Sequence, residues 1–247
     1  MKRYKTFITL FMVLMIVSIA TAQSQVLVLG TQSMLDKLRL NKGIEGISDI
    51  YYSEILGDPF IAADFADGKV ILKSGDLFDV ELRYDIYADQ MQFRTEGEIY
   101  IISNYRQIQS VILEDMEYIY TDYSISFGTD DPDGVAYFAL LVDGECKLLE
   151  RKNIRIQEPE PPKLYQEAKP AKFILKDDSY YLKLGEKSAV KIKSKKDLVE
   201  ILSDQQDNLK TFIRSNKLST GKREDLIKII SFYNEFSPLF PENSLHN

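Results

Sequence analysis

The sequence predicts an α+β fold: an antiparallel β-meander that forms a curved sheet or half-barrel, followed by a β-hairpin and two to three short C-terminal helices. Three observations predict it. Residues 68–94 alternate apolar and polar side chains between tight turns, and the pattern repeats to about residue 156. Four prolines then cluster within residues 157–170, and beyond residue 194 the apolar period lengthens from two to the ~3.6 of a helix.

The chain opens with Lys2, Arg3 and Lys5, an apolar run over 7–19, and Ala20-Thr21-Ala22. Basic, apolar and small-residue regions in that order are those of a secretory signal peptide, so residues 1–22 are expected to be removed on export. The run is shorter than the ~20 apolar residues of a spanning helix, which argues against an uncleaved anchor. Losing its three basic residues would take the formal charge from −7 to −10. No cysteine follows the cut, so nothing marks a lipid-modified N-terminus, and no second spanning segment appears.

Residues 25–30 are apolar enough for a short strand or packed arm. Met34, Leu35, Leu38 and Leu40 have near-helical spacing ended by Gly43 and Gly46, and 47–56 reads as strand or irregular cover. A turn at 57–60 precedes the meander. Within it Val80, Leu82, Tyr84 and Ile86 take one face and Glu81, Arg83 and Asp85 the other, the signature of a half-buried strand. Short turns at 74–76 and 88–89 make the neighbours antiparallel, since a parallel return needs a long crossover.

Further strands are expected at 98–103, 109–113, 117–120 and 123–127, all rich in Ile, Tyr or Val. Residues 135–142 are apolar on both parities and should form the most buried, central strand. Asp143-Gly144 turns the chain into 146–149, and Ile154 and Ile156 close a sheet of eight to ten strands. The organisation expected is a signal peptide (1–22), a mainly antiparallel β region (23–156), a proline-rich connection (157–170) and a hairpin with helices (171–247). In the last part 173–175 and 180–184 read as a hairpin turning at Lys176-Asp177-Asp178. Ser194 and Asp197 resemble a capping box, with Leu198, Ile201 and Leu202 on one helical face. Leu209, Phe212 and Ile213 mark a second stripe, and Leu226, Ile229, Ile230 and Tyr233 a third, with a frayed tail after Pro238.

The chemistry the chain carries is limited. Its one histidine, His246, lies in the polar tail, so His-based nucleophilic triads, His-ligated zinc and His general bases have no residue to use. The acidic balance does not suit nucleic acid, whose binding rests on clustered Lys and Arg. Cys146 is the lone cysteine, so no internal disulfide forms, and it reads as a packed thiol. Residues 129–134 place Asp131, Asp133 and Gly134 at calcium-loop positions, but Thr129 and Leu140 stand where carboxylates are required, so the stretch reads as an Asp-rich turn. Glu114, Asp115 and Glu117 are carboxylates of the type glycosidases use, though such clusters arise by chance among 38 acidic residues. Tyr84, Tyr87, Tyr100, Tyr105, Tyr118, Tyr120 and Tyr123 crowd the meander, either as a tyrosine recognition ladder or as half-buried strand residues, the reading we favour.

The turn at 57–60, the Phe-x-x-Gly-x-Val run at 65–70, the tyrosine-bearing strand at 82–87 and the paired helices within 195–236 together resemble a family of secreted Bacteroidota proteins with no assigned activity. The resemblance implies a Gram-negative envelope or exported protein and transfers no catalytic residue. The functional expectation is a non-enzymatic exported protein that binds a protein or envelope partner through the Glu81, Arg83, Asp85 and Tyr87 face of its sheet. The alternative is a carrier for an apolar or lipid ligand, with a carboxylate-only hydrolase third. No catalytic or metal-binding residue and no cofactor is assigned.

Overall fold

The computed structural model describes residue 52 and residues 54–129, 131–162 and 167–236. The expectations for the signal peptide, the arm at 25–30, the helix at 32–40 and His246 lie outside them. Ten strands form one sheet in the order β10-β9-β8-β7-β6-β5-β1-β2-β3-β4. The meander appears as β1 (Ala66–Leu72), β2 (Leu77–Asp85), β3 (Gln90–Thr95) and β4 (Glu98–Ile101), then β5 (Ile108–Leu113) and β6 (Met116–Ser124). β7 (Gly134–Val142), β8 (Cys146–Gln157), β9 (Lys172–Leu184) and β10 (Ala189–Lys191) follow.

Alternation fixes the faces. Leu82 and Tyr84 of β2 are buried with Met91 and Phe93 of β3, Val70 and Leu72 of β1, and Val111 and Leu113 of β5 in one core. Gly68 is required where β1 approaches its neighbours, because a Cβ there would stand 2.5 Å from both the Ile112 carbonyl oxygen and Leu82 Cδ1. In β7 residues 136–139 are all buried, as an apolar run on both parities demands, since Tyr137 and Ala139 enter this first core while Ala136 and Phe138 enter another.

That other core is the inside of a small barrel. β6 to β10 pair in series, and β10 returns to β6 in parallel through Ala189↔Tyr123 and Val190↔Ser124. The closed interior holds Ala136, Phe138, Leu149, Tyr181 and Ala189, with Ile119, Tyr123 and Leu140 against them. On the barrel's outside, Cys146, Leu148 and Leu182 meet three helices, α1 (Lys195–Ile201), α2 (Gln206–Ser215) and α3 (Arg223–Glu235). The predicted stripes are their buried faces: Leu198, Ile201 and Leu202; Leu209 and Ile213; Leu226, Ile229, Ile230 and Tyr233. Ser194 caps α1 by accepting the Asp197 N–H at 3.2 Å.

Two local readings change. The strand pieces expected at 117–120 and 123–127 merge into one strand, β6, since Thr121 and Asp122 continue its pairing with β7, and it stops at Ser124, with 125–127 outside it. The hairpin expected within 173–184 is instead a single strand: β9 runs through Lys176-Asp177-Asp178 because β8 pairs with it along its whole length. The surplus polar residues are absorbed in an irregularity beside Lys152 and by the Lys152–Asp178 ion pair at 2.6 Å. The hairpin after the proline-rich stretch is β9–β10, turning at Gly185. Residues 157–170 connect two neighbouring strands of the sheet, and the helix-covered core draws on both sides of that connection.

Candidate interaction surface

The segment 54–64, with Tyr52 before it, forms a strap that joins β9 to β2. Leu56 bonds to β9 through the Ala171 carbonyl (2.9 Å) and the Phe173 N–H (2.8 Å), and the Pro59 carbonyl accepts the Ile86 N–H (2.9 Å). Farther along, the Ile61 N–H donates to the Tyr84 carbonyl at 3.1 Å. The rings of Tyr52, Phe60, Tyr87 and Phe173 meet edge to face beneath it, with Tyr52–Phe173 centroids 5.2 Å apart and Tyr87–Phe173 5.4 Å apart.

Asp85 lies under this strap with no exposed surface, which corrects its placement on the open recognition face. The alternation that put it outside is right for the strand, but the strap covers that end of β2. Its carboxylate accepts the Tyr52 hydroxyl at 3.1 Å and the Ala88 N–H at 2.8 Å. Burial raises its pKa, against the lowering effect of these donors. Glu81 and Arg83 do face outward: Arg94 Nε donates to Glu81 at 2.9 Å, and the Arg83 guanidinium stacks 3.7 Å from the Phe60 ring centroid.

The tyrosines divide. Tyr84, Tyr118 and Tyr137 are buried in contact, with centroids 5.5 and 5.8 Å from Tyr84, and burial pushes the Tyr118 hydroxyl up to about 12. Tyr100 stacks on Phe93, and Tyr120 stacks on Tyr105 at 4.4 Å. Tyr100, Tyr120 and Tyr123 are half-buried strand residues, while Tyr87 is 45% and Tyr105 39% exposed.

A second carboxylate, Asp89, occupies a fork in the sheet. β7 and β8 pair only as far as Ala139↔Glu150, and two residues on the Tyr137 N–H donates to Asp89 at 3.3 Å. The same oxygen accepts the Tyr84 hydroxyl at 2.6 Å, and Arg151 stands 3.6 Å from its partner oxygen. Burial raises the Asp89 pKa, and its backbone is left-handed at φ 53°, a conformation Asp tolerates.

Asp133 binds the Ile125 N–H at 2.6 Å, closing the β6–β7 loop. Cys146 is buried, which raises its thiol pKa. Glu114 and Asp115 are exposed at the β5–β6 turn, where Glu114 reaches a cavity of about 40 Å³, far below the few hundred Å³ of a ligand site. No helix among the described residues is long and apolar enough to cross a membrane.

What sequence reasoning missed is the apolar patch around the strap. Leu175 is 65% exposed and Tyr87 45%, beside the buried Phe173, while Leu56, 54% exposed, bridges Lys172 on the opposite face of β9. A signal existed, because Phe173 and Leu175 share a parity in β9, but the exposure of one and burial of the other depend on a strap more than 100 positions away. No family model, curated protein or solved structure matches the chain.

Proposed function

We propose that the protein is an exported, non-enzymatic binding protein of the cell envelope that holds a protein or envelope-surface partner on its sheet. One observation carries this reading: Tyr87 and Leu175 are exposed beside a nest of packed aromatic rings. Large apolar groups in water beside preordered rings are the composition of a partner-binding centre, because the anchors lose little entropy on docking. The charged Glu81 and Arg83 face would supply the polar rim. A carrier for an apolar or lipid ligand is the second reading. It draws less support, since Phe138, Leu149 and Tyr181 fill the barrel interior.

The test is a photo-crosslinking residue at Leu175, with Thr211 on α2 as control, in residues 23–247 mixed with envelope extract. A discrete protein adduct from position 175 alone is expected. Equal labelling from both positions, or lipid adducts alone, would dispose of the reading.

A further inference from the structure

Among the described residues, the far half of β8 has an unpaired edge. β7 leaves β8 at Glu150, so beyond that point β8 pairs only with β9, through Asn153↔Lys176, Ile154↔Leu175, Arg155↔Ile174, Ile156↔Phe173 and Gln157↔Lys172. The strap shows which way the backbone points. The Phe173 N–H reaches Leu56, on the side of β9 away from β8. Phe173↔Ile156 is therefore a non-hydrogen-bonded pair, and so is Leu175↔Ile154 two residues on. The N–H and C=O of Ile154 and Ile156 consequently point out of the sheet, and among the described residues no backbone group takes them. A row of unsatisfied groups at this spacing is a template for one more strand.

The ribbon also has two unlike faces. Cross-strand partners share a face, so Asn153, Arg155, Gln157, Lys172, Ile174 and Lys176 lie together, and Arg155, Lys172 and Lys176 are exposed. Ile154, Ile156, Phe173 and Leu175 lie on the other, continuous with the exposed apolar patch. No acidic residue occurs within 151–157 or 171–176, in a chain whose formal charge is −7. The nearest carboxylates on β9 are Asp177, exposed beside Lys176, and Asp178, held by Lys152 at 2.6 Å.

The geometry points to strand addition: an extended segment of a partner protein, alternating acidic and apolar residues, pairs with the Ile154–Ile156 edge of β8. Its backbone completes the outward bonds of those two residues, its carboxylates lie beside Arg155 on the basic face that Lys172 and Lys176 extend, and its apolar side chains lie beside Ile154 and Ile156. This rests on the partner-binding reading above and specifies the chemistry of the partner.

The probe is a labelled octapeptide, (Glu-Val)4, compared with (Lys-Val)4 by fluorescence anisotropy on the protein spanning residues 23–247. Binding of the acidic peptide should be about tenfold tighter and weaken as salt is raised. Ile156→Pro removes one outward N–H without touching the β8–β9 bonds, so it should abolish binding while the circular dichroism spectrum is kept. Arg155→Glu with Lys176→Glu, both at exposed sites, should reverse the preference between peptides. Equal binding of the two peptides, or undiminished binding by Ile156→Pro, overturns strand addition. A Leu175 crosslink that survives Ile156→Pro would overturn it while leaving the partner-binding reading in place.

Discussion

The Asp89 carboxylate does for Tyr137 what a neighbouring strand would otherwise do. It accepts the Tyr137 N–H at 3.3 Å on the side from which β8 has departed, and so allows β7 and β8 to diverge without stranding a buried donor. Because it also takes the Tyr84 hydroxyl and faces Arg151, one turn residue joins β2, β7 and β8. Asp89→Ala would leave two donors and a guanidinium without their acceptor and should cost about 2–4 kcal/mol. Asp89→Asn retains an oxygen acceptor and tolerance of positive φ, so it should lose less than half as much. Urea unfolding of the two variants measures this, and equal losses would show that the fork does not depend on the acceptor.

The two buried carboxylates give the stability curve a distinctive sign. Asp85 and Asp89 both have pKa values raised by burial above the ordinary carboxylate value of about 3.9. The stability they contribute is complete below that unfolded value and is lost as pH rises through the folded one. Wild type should therefore gain on Asp85→Asn as pH falls from about 7 to about 4, because only wild type can discharge the site. Parallel unfolding titrations of the two proteins test the sign, and a difference that moved in favour of Asp85→Asn on acidification would be incompatible with it.

Much of this architecture is written locally. The faces of β1 to β3, the doubly buried centre of β7, the Ser194 cap and the three helical stripes follow from residue spacing within a few turns of chain. The misread pieces each depend on a distant partner. Thr121 and Asp122 look like a break until β7 pairs with them, and Lys176-Asp177-Asp178 looks like a turn until β8 supplies Lys152. The strap, the burial of Asp85 and the β10–β6 closure join positions far apart in sequence, which no local period encodes. The candidate surface was legible only in part: Tyr87 belongs to it, whereas the contrast between buried Phe173 and exposed Leu175 depends on the strap's path.

Glu81 and Arg83 share the outer face of β2 but should respond differently to charge reversal. Glu81 makes an exposed pair with Arg94, of a kind that water and salt screen, so Glu81→Lys should leave folding intact. Arg83 lies over Phe60 and donates to the Ala63 carbonyl at 3.3 Å, so it holds the strap. Arg83→Glu should leave the fold in place but speed amide exchange at Ile61, whose N–H bonds Tyr84. Unchanged Ile61 protection would mean that Arg83 does not secure the strap.

The helical layer is joined to the barrel by a side chain acting as a strand partner. Asn234 of α3 accepts the Cys146 N–H and donates to the Cys146 carbonyl, each at 3.0 Å, so its amide closes both backbone bonds at the start of β8. Gly144 makes room for it: the backbone there has φ 151°, and a Cβ would stand 2.5 Å from Asn234 Nδ2. Asn234→Ala should cost ~1–3 kcal/mol, since it leaves a partly buried donor and acceptor unmet. Gly144→Ala should be comparably damaging, because it adds backbone strain and displaces the same amide. The two effects should not add: Asn234→Ala removes the atoms the new methyl would strike, so the double variant should be more stable than the sum of the single losses implies. Chemical unfolding of the three variants supplies the cycle, and strict additivity would show that Gly144 and Asn234 act independently.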